Sequence, residues 1–258
     1  MLTRRSFAAS LAGAAVAQAA GTRVFYDDFT APTLDSSQWL VGNWQLGRTI
    51  LGNTPVIQNS IAKLPFKTWN AAAGLFTGCE IYTKKSFQIG NGLEFSARVR
   101  MVNLPKGLVT SLFGYAAKGI YSDEVDIEFL TKQIANSPGL LPLSLSTYND
   151  FNNNIGNYSN GKTHWSNYYS LQNYSAADFH TYTIRLQSGV FSLYFDGVFR
   201  LSWANAVPNA AMPMRLNFWA PAVSWSDAFD ASLVPAASQS LAHTYYYEVD
   251  WVEVRSYS

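Results

Sequence analysis

Apolar and polar residues alternate in short runs along most of the chain after residue 23, and Gly, Pro, Asn and Asp separate the runs. Alternation with a period of two is typical of β-strands that bury one face. Such a pattern therefore predicts many short strands. The clearest predicted strands are 93–100, 181–186, 191–195, 198–201 and 245–254.

The strands predicted at 191–195 and 198–201 are separated by Asp196-Gly197, a pair that favours a tight hairpin turn. No amphipathic helix longer than a turn or two is predicted, so the strands lack helical crossovers and should pair antiparallel. We therefore expect an all-β antiparallel sandwich or barrel that forms one domain from residue 20 to 258. The Asn-rich segment 149–162 is predicted to be a long loop.

Composition removes several classes of function. The chain of 258 residues has 18 Lys and Arg against 17 Asp and Glu, and this balance gives no electrostatic reason to expect a nucleic-acid partner. Aromatic residues make up 15% of the chain and charged residues only 14%. With a single cysteine, Cys79, and three histidines far apart in sequence, neither an internal disulfide nor metal catalysis is expected.

The first nineteen residues resemble an export signal. Arg4 and Arg5 precede an Ala-rich, weakly apolar run that ends in an A-x-A pattern at Ala17-Gln18-Ala19. The paired arginines are typical of a bacterial twin-arginine signal, so segment 1–19 should be removed. The rest of the chain has no other apolar run long enough to span a membrane. We expect an exported protein, periplasmic or extracellular, with no membrane partner.

The chemistry is concentrated in one acidic segment. Glu124, Asp126 and Glu128 alternate with apolar residues, so an extended strand would point all three carboxyls to one face. Like charges this close raise the pKa of at least one member. The alternating apolar residues should face the core: Val125, Ile127 and Phe129.

Two carboxyls with different protonation states are what retaining glycoside hydrolysis needs, one as nucleophile and one as acid, about 5 to 5.5 Å apart. Positions i and i+4 of a strand are about 13 Å apart at Cα. Long Glu side chains at 124 and 128 could close that gap, and Asp126 between them could orient the nucleophile. Two alternatives remain: a solvated edge strand blunted by charge, and ligation of calcium by the same carboxyls.

The segment Glu124-Val125-Asp126-Ile127-Glu128-Phe129 resembles the E-x-D-x-E active-site strand of glycoside hydrolase family 16, in the form found in lichenases and xyloglucan endotransglycosylases. The resemblance implies a concanavalin-like β-jelly-roll of two curved sheets, with an open concave cleft that binds a β-glucan polysaccharide. Further segments are similar to that family in the same order: 25–29, 179–184, 194–198, 213–219 and 247–252.

Transferred by this resemblance, Glu124 is the nucleophile, Asp126 the assisting carboxylate and Glu128 the general acid/base. Trp219 matches a tryptophan that stacks on a sugar face, and no cofactor is required for catalysis. Other aromatics, such as Trp44, Trp69, Tyr115, Trp165 and Trp225, could also line subsites. Three further residues are expected to bind substrate: Asn217, Tyr82 and Tyr148.

Asp250 matches a position where members of the family often hold a structural calcium, so a metal site is expected there. Two departures from lichenases leave the substrate preference open. Ser122 stands where lichenases usually carry Trp, and of their Glu-Tyr-Arg recognition pattern only Tyr82 is kept. Cys79 aligns with a half-cystine of some lichenases and is expected to be a buried thiol.

We expect an endo-acting retaining hydrolase, monomeric, that cleaves β-1,3/β-1,4-linked glucan by double displacement. A transglycosylase of the same family, acting on xyloglucan or another β-glucan, would use the same carboxyls with a sugar acceptor. A non-catalytic carbohydrate-binding jelly-roll is the third hypothesis. Three adjacent carboxyls argue against the last, because a binding site gains little from like charges held together.

Overall fold

A computed structural model of the protein describes residues 21–152 and 164–258, and the predicted export signal at 1–19 lies outside them. The described residues form seventeen strands and two short helices. The strands are β1 Thr22–Asp27, β2 Trp39–Val41, β3 Gln45–Leu46, β4 Thr49–Leu51, β5 Val56–Gln58, β6 Ile61–Lys67, β7 Phe76–Thr83, β8 Leu93–Met101, β9 Val109–Lys118, β10 Tyr121–Leu130, β11 Leu140–Asn152, β12 His164–Gln172, β13 His180–Gln187, β14 Val190–Phe195, β15 Val198–Trp203, β16 Met214–Trp219 and β17 Thr244–Ser256. The helices are α1, Thr131–Asn136, and a 3₁₀ turn at Gln239–Leu241.

The strands form two layers. The front sheet has the order β12-β11-β10-β9-β16-β7-β2, with every neighbouring pair antiparallel. The back sheet has the order β15-β14-β13-β8-β17-β6-β5, again antiparallel, and β1 pairs with the last part of β17. The first residues of β7 also contact β4 and β6, which links the two layers.

The core lies between the layers and is built from the inward-facing residues of both sheets. Phe129 of β10 meets Tyr182 of β13 edge to face, with ring centroids 4.8 Å apart. Burial of apolar surface drives this packing, and each fully buried side chain of this size contributes about 1.5 to 3 kcal/mol. The sandwich expected from the alternation is thus confirmed, and its form is the jelly-roll. Fully buried members include Phe66, Phe95, Ile127, Phe191, Leu193, Leu216, Phe218 and Val254.

The hairpin predicted at Asp196-Gly197 is present between β14 and β15. Both residues have positive φ, 48° and 74°, as a type I′ turn requires. Glycine adopts this conformation without the clash that a Cβ causes, and Asp is among the few other residues that tolerate it.

The loop predicted at 149–162 is wrong in its first residues, and the strand predicted at 245–254 is confirmed with one irregularity. Residues 149–152 were expected in a loop but continue β11, and 153–162 of that predicted loop lie outside the described residues. The alternation expected through 245–254 is interrupted in β17 by a register shift between Val249 and Trp251. This bulge at Asp250 keeps the apolar residues on both sides of it in the core, which one uninterrupted strand could not do. No helix among the described residues has the length and apolar character needed to cross a bilayer.

Candidate active site

Strand β10 lies inside the front sheet, paired to β9 on one side and to β11 on the other. It is therefore not an edge strand, and the edge-strand alternative for the acidic segment is wrong. Glu124, Asp126 and Glu128 face away from the core, with Asp126 buried and both glutamates partly exposed. The predicted inward-facing residues Val125, Ile127 and Phe129 are fully buried.

Asp123 fixes the start of this acidic segment. The pairing of β10 with β11 shifts register between Ser122 and Glu124, and from Glu124 to Glu128 it is continuous. The buried carboxylate of Asp123 accepts N–H bonds from Asp150, Asn209 and Ala210, each at 2.9 Å. Lys118 lies 2.6 Å from the same carboxylate. The residue before Glu124 is thus held in place by three backbone hydrogen bonds and one ion pair.

The three carboxyls of β10 lie between two cavities on the concave side of the front sheet. One cavity, of about 500 Å³, extends toward β16 and β7, and the other, of about 590 Å³, extends toward β11 and β12. Both are lined by Glu124, Asp126, Glu128 and Trp219. The two cavities together form a groove across the strands, with the acidic segment in the middle, and we call it the cleft.

The register explains why the cleft is polar. Residues directly opposite each other in neighbouring strands face the same side of the sheet. The residues paired in register with a cleft-facing residue therefore also face the cleft. The row through Glu128 crosses six strands, and every side chain in it is polar or carries a hydroxyl. Strands lie about 4.8 Å apart, so this row spans roughly 24 Å. From β7 to β12 the row consists of Glu80, Asn217, Ser111, Glu128, Ser144 and Tyr168.

Glu124 and Asp126 share a hydrogen bond between their carboxyls. Burial raises the pKa of Glu124 to about 7, against the lowering effect of the Asp126 hydrogen bond and the Arg215 cation. Burial, and then the charges of Glu124 and Glu128, raise the pKa of Asp126 well above its usual range. A hydrogen bond between two carboxyls needs a proton on one of them, and these directions place it on Asp126.

The surroundings of Glu128 also favour its protonated form. Burial and the nearby charge of Glu124 raise the pKa of Glu128 to about 8, although a hydrogen bond from Ser144, at 3.5 Å, acts in the opposite direction. Neighbouring carboxyls in one low-dielectric site cannot all ionise together. At neutral pH this arrangement favours a proton on Glu128 and a negative charge on Glu124.

The residues expected to bind substrate are divided between the two cavities. Trp219 lines both cavities, and its ring lies 5.8 Å from that of Trp225. Asn217 lines the β16 side, and Tyr148, opposite Glu124, lines the β12 side. The guanidinium of Arg215 stacks over Tyr82, with its Cζ 4.3 Å from the centroid of the Tyr82 ring. Tyr82 is not among the residues that line either cavity.

Two charged residues of the cleft were not predicted from the sequence. Glu80 and Arg215 form an ion pair at 2.7 Å, and both line the β16 side. A signal for Arg215 was present, because 215, 217 and 219 alternate with buried Leu216 and Phe218. That alternation puts Arg215 on the same face as Asn217 and Trp219. The pairing of β7 with β16, which brings Glu80 beside them, could not be inferred from the sequence.

The candidate aromatics are in different environments. Trp44 and Tyr115 line the β16 side of the cleft, and Trp225 lines the β12 side. Trp69 instead lines a separate surface depression with residues 235–237. Trp165 lies on β12 at a position opposite Thr147, outside both cavities.

Asp250 and Cys79 lie away from the cleft. The Asp250 carboxylate forms an ion pair with Arg98 on the outer face of the back sheet. Within residues 21–152 and 164–258, no group of three or more His, Cys, Asp or Glu side chains is arranged to hold a metal ion. A site that combines the Asp250 carboxylate with backbone oxygens is not of that kind, so calcium at Asp250 stays a prediction. Cys79 is fully buried in the core as a free thiol, as expected.

Comparison with known proteins shows the family and the fold. The sequence profile described as "Glycosyl hydrolases family 16" matches residues 45–253. A β-1,3-1,4-glucanase (lichenase) from a mouse hindgut metagenome is 23% identical, with a TM-score of 0.68 over 90% of this chain and 99% of that one. No curated protein matches the chain significantly.

Two further solved structures share the fold. An endo-β-1,3-glucanase from Pyrococcus furiosus is 17% identical, with a TM-score of 0.66 over 92% of this chain and 95% of that one. An immunostimulatory antigen and pseudo β-1,3-glucanase of Mycobacterium tuberculosis is 16% identical, with a TM-score of 0.64 over 92% of this chain and 100% of that one. At these identities the likeness shows the fold.

Proposed function

This chain belongs to glycosyl hydrolase family 16, and we propose that it is an endo-acting retaining hydrolase of β-1,3/β-1,4-linked glucan. The single observation that carries the proposal is that Glu124, Asp126 and Glu128 lie on one face of β10 and line the same cleft. Glu124 and Glu128 line the same cleft, and the pKa of Glu128 is raised further than that of Glu124. Pairs of titratable groups with separated pKa values are typical of acid/base catalysis.

In the first step the ionised Glu124 attacks the anomeric carbon and forms a covalent glycosyl ester, while the glycosidic C–O bond breaks. Glu128 transfers its proton to the departing oxygen, so no alkoxide is released. In the second step Glu128 takes a proton from water as the water oxygen attacks the same carbon. The ester bond breaks, Glu124 leaves as a carboxylate, and the anomeric configuration is retained.

Asp126 supports Glu124 through their shared hydrogen bond. A protonated Asp126 donates to the Glu124 carboxylate, which orients it and makes it a better leaving group in the second step. The β-glucan class is proposed because the lichenase and endo-β-1,3-glucanase named above share the family fold. Endo action is proposed because the cleft crosses six strands.

The first test is a reducing-sugar assay of the purified protein on mixed-linkage glucan, β-1,3-glucan and xyloglucan. Glu124→Ala should have no turnover on these polymers, and azide should restore cleavage of an activated aryl glycoside with an α-glycosyl azide as product. The control is Glu128→Ala, in which azide should yield the β-glycosyl azide because the covalent intermediate still forms. An α azide from both variants would reject the assignment of the two roles.

Transfer to a sugar rather than to water would be seen as longer products when an acceptor oligosaccharide is added to the same assay. Binding of glucan by the wild type without new reducing ends would instead support the non-catalytic hypothesis.

We also propose that the protein is a monomer exported after removal of residues 1–19. N-terminal sequencing of the secreted protein should begin at Ala20, and size-exclusion chromatography should give the mass of one chain. A retained N-terminal segment or a dimeric mass would contradict these proposals. Neither result bears on the chemistry of the cleft.

A further inference from the structure

Trp69 is an aromatic residue that the cleft does not use, and it lies in a surface depression of its own. The depression has a volume of about 410 Å³. It is lined by six residues of the segment 69–75, which joins β6 to β7, and by residues 235–237. We call it the Trp69 depression. Its volume is within the range of about 300 to 1,000 Å³ that is typical of small-ligand sites.

Hydrogen bonds fix the backbone on both sides of Trp69. The carbonyl of Thr68 accepts the N–H of Ala236 at 2.7 Å, and this bond joins the two walls of the depression. The carbonyl of Trp69 accepts a hydrogen bond from the hydroxyl of Thr77 at 2.8 Å. The side chain of Asn70 donates to the same hydroxyl at 2.9 Å, and its oxygen accepts a backbone N–H of the loop at 2.8 Å. A ligand would thus meet a preformed surface, and binding would cost little ordering of the protein.

The side chain of Trp69 is half-buried and keeps one polar group unused. Its indole N–H has no hydrogen-bond partner among the described residues, and it is not enclosed in the core. Such an indole offers a flat apolar face and a donor at its edge. A sugar ring has the complementary surface, because its apolar C–H face is surrounded by hydroxyls.

The lack of charge in the lining limits which ligands fit. Among the described residues that line the depression none is charged, and apart from Asn70 their side chains are apolar or aromatic, or absent as in Gly74. The segments 69–79 and 231–242 contain no Asp, Glu, Lys or Arg. An ionised ligand would lose water there without gaining a partner of opposite charge. An uncharged ring with one apolar face is therefore the ligand that fits.

The Trp69 depression lies near one end of a strand that also reaches the cleft. Strand β7 begins at Phe76, directly after the segment that lines the depression, and Glu80, four residues further, lines the cleft. At about 3.3 Å per residue these four residues span roughly 13 Å. A polymer held at the depression therefore has an increased local concentration at the cleft. A short oligosaccharide bound in the cleft gains nothing from the depression.

We infer that the Trp69 depression is a second carbohydrate-binding site, separate from the cleft, in which Trp69 stacks on one sugar ring of a neutral glucan. The inference rests on the proposed function for the identity of the polymer as a glucan. It involves no bond-breaking step and none of the carboxyls of β10.

The first test is affinity electrophoresis in native gels that contain mixed-linkage glucan, β-1,3-glucan or xyloglucan. Every protein carries Glu124→Ala, so that the polymer is not cleaved during the run. Trp69→Ala should raise the Kd for the polymer that binds best by about three- to tenfold, because one stacking contact is lost. Trp69→Phe keeps a flat ring and should give a Kd between those of the parent and Trp69→Ala.

Trp165→Ala is the matched control. Trp165 is also an accessible tryptophan, but it lines neither the depression nor either cavity of the cleft. This variant should leave the Kd within about twofold of that of the parent. If Trp165→Ala and Trp69→Ala raise the Kd equally, the inference is overturned.

Ala237→Arg tests the depression without removing Trp69. Ala237 is an exposed residue of the lining, so a long side chain there should fill the depression and leave the fold intact. Ala237→Arg should weaken glucan binding about as much as Trp69→Ala, with an unchanged melting temperature. A Kd equal to that of the parent would overturn the inference, whatever Trp69→Ala does to stability.

The second test compares a glucan polymer with a tetrasaccharide of the same linkage as substrates, with Glu124 restored. Trp69→Ala should raise KM for the polymer by about threefold or more and leave kcat unchanged, because only ground-state binding is lost. Both constants for the tetrasaccharide should stay within about twofold of the wild type. An equal rise in KM on both substrates would mean that Trp69 acts through the cleft, and would overturn the inference.

The outcome can be separated from that of the proposed function. A protein that binds glucan through Trp69 and Ala237 without cleaving it rejects hydrolysis and supports the inference. Cleavage that neither depression variant alters, or a parent that no glucan retards, overturns the inference. Size-exclusion chromatography covers the remaining occupant, since a dimer that Ala237→Arg dissociates would show that a second copy of the chain fills the depression, and would also overturn it.

Discussion

Glu124 and Asp126 lie two positions apart on one face of β10, and their carboxyls are joined by a hydrogen bond. The bond needs a proton, so the acidic segment carries fewer negative charges than its three carboxyls suggest. Arg215 lowers the pKa of Glu124 and does not act comparably on Glu128. The segment is therefore electrically asymmetric, and this asymmetry can be measured.

The pH profile of kcat/KM should be bell-shaped and narrow. Activity should rise as Glu124 loses its proton through a pKa of about 7, and should fall as Glu128 loses its proton through a pKa of about 8. The measurement is kcat/KM from pH 5 to 10 at constant ionic strength. Because the groups interact, the two limbs report the pair rather than each residue alone.

Glu128→Gln provides the control for that profile. With an aryl glycoside whose leaving group needs no proton, this variant should keep the acidic limb and lose the alkaline one. An alkaline limb that persists in Glu128→Gln would mean that another group controls it. Glu128 would then not be the general acid.

The raised pKa of Glu128 should make the fold less stable at high pH, where this carboxyl loses its proton. In an unfolded chain Glu128 would titrate near its usual 4.5, whereas in the fold its pKa is about 8. The folded state then binds more protons between these values, so the free energy of unfolding falls as pH rises from about 4.5 to 8. Glu128→Gln should therefore gain a few kcal/mol, about 4 at most, at pH 8 and almost nothing at pH 4.5.

Urea denaturation at the two pH values measures that gain. Glu253→Gln is the control, because its free energy of unfolding should change in the opposite direction. Although burial opposes it, hydrogen bonds from Arg255 and Arg23 lower the pKa of Glu253. That carboxylate stabilises the fold above its unfolded pKa, so its replacement should lose stability at pH 8. A gain in both variants would show that the effect is not specific to the cleft.

How far the sequence can predict this protein depends on whether a feature is local. The alternation of Glu124, Asp126 and Glu128 with apolar residues is local, and it correctly predicts a strand with one acidic and one buried face. The Asp196-Gly197 hairpin is local too, because the conformation of the turn requires those residues. For the same reason the resemblance to family 16 could be found from short motifs, and the comparison confirms it.

What the sequence does not predict depends on pairing between distant strands. Glu80 reaches Arg215 only because β7 pairs with β16, and the two residues are far apart in the chain. The bulge at Asp250 follows from the need to bury apolar residues on both sides of it, and no single residue marks it. The extension of β11 into 149–152 is likewise a result of pairing with β10, which overrides the loop-like composition of that segment.

Asp123 should be essential to the geometry of the cleft although it does not line it. Asp123→Asn keeps one carbonyl oxygen for three backbone N–H donors and removes the charge facing Lys118. We expect a loss of about 2 to 4 kcal/mol in the free energy of unfolding and a lower kcat, because the register of Glu124 depends on this anchor. Urea denaturation and the glucanase assay measure the two effects.

The control for Asp123 is Asp150→Asn, which alters the other carboxylate that pairs with Lys118. Asp150 is exposed, and its backbone N–H still reaches Asp123 after the change. This variant should stay within about 0.5 kcal/mol of the wild type. Equal losses in both variants would mean that Lys118, rather than the buried carboxylate, determines the stability of this region.

Trp44 and Trp165 form a matched pair for testing where the sugar chain lies. They are 39% and 41% exposed, but Trp44 lines the β16 side of the cleft and Trp165 lies outside both cavities. An aromatic face covers the apolar face of a sugar ring, so Trp44→Ala should raise KM roughly tenfold. Trp165→Ala should leave KM within twofold, and neither change should affect the melting temperature much, because neither side chain is in the core.

If Trp165→Ala raises KM as much as Trp44→Ala, the glucan must run over the outer side of β12. The cleft defined by the carboxyls would then not be the binding path.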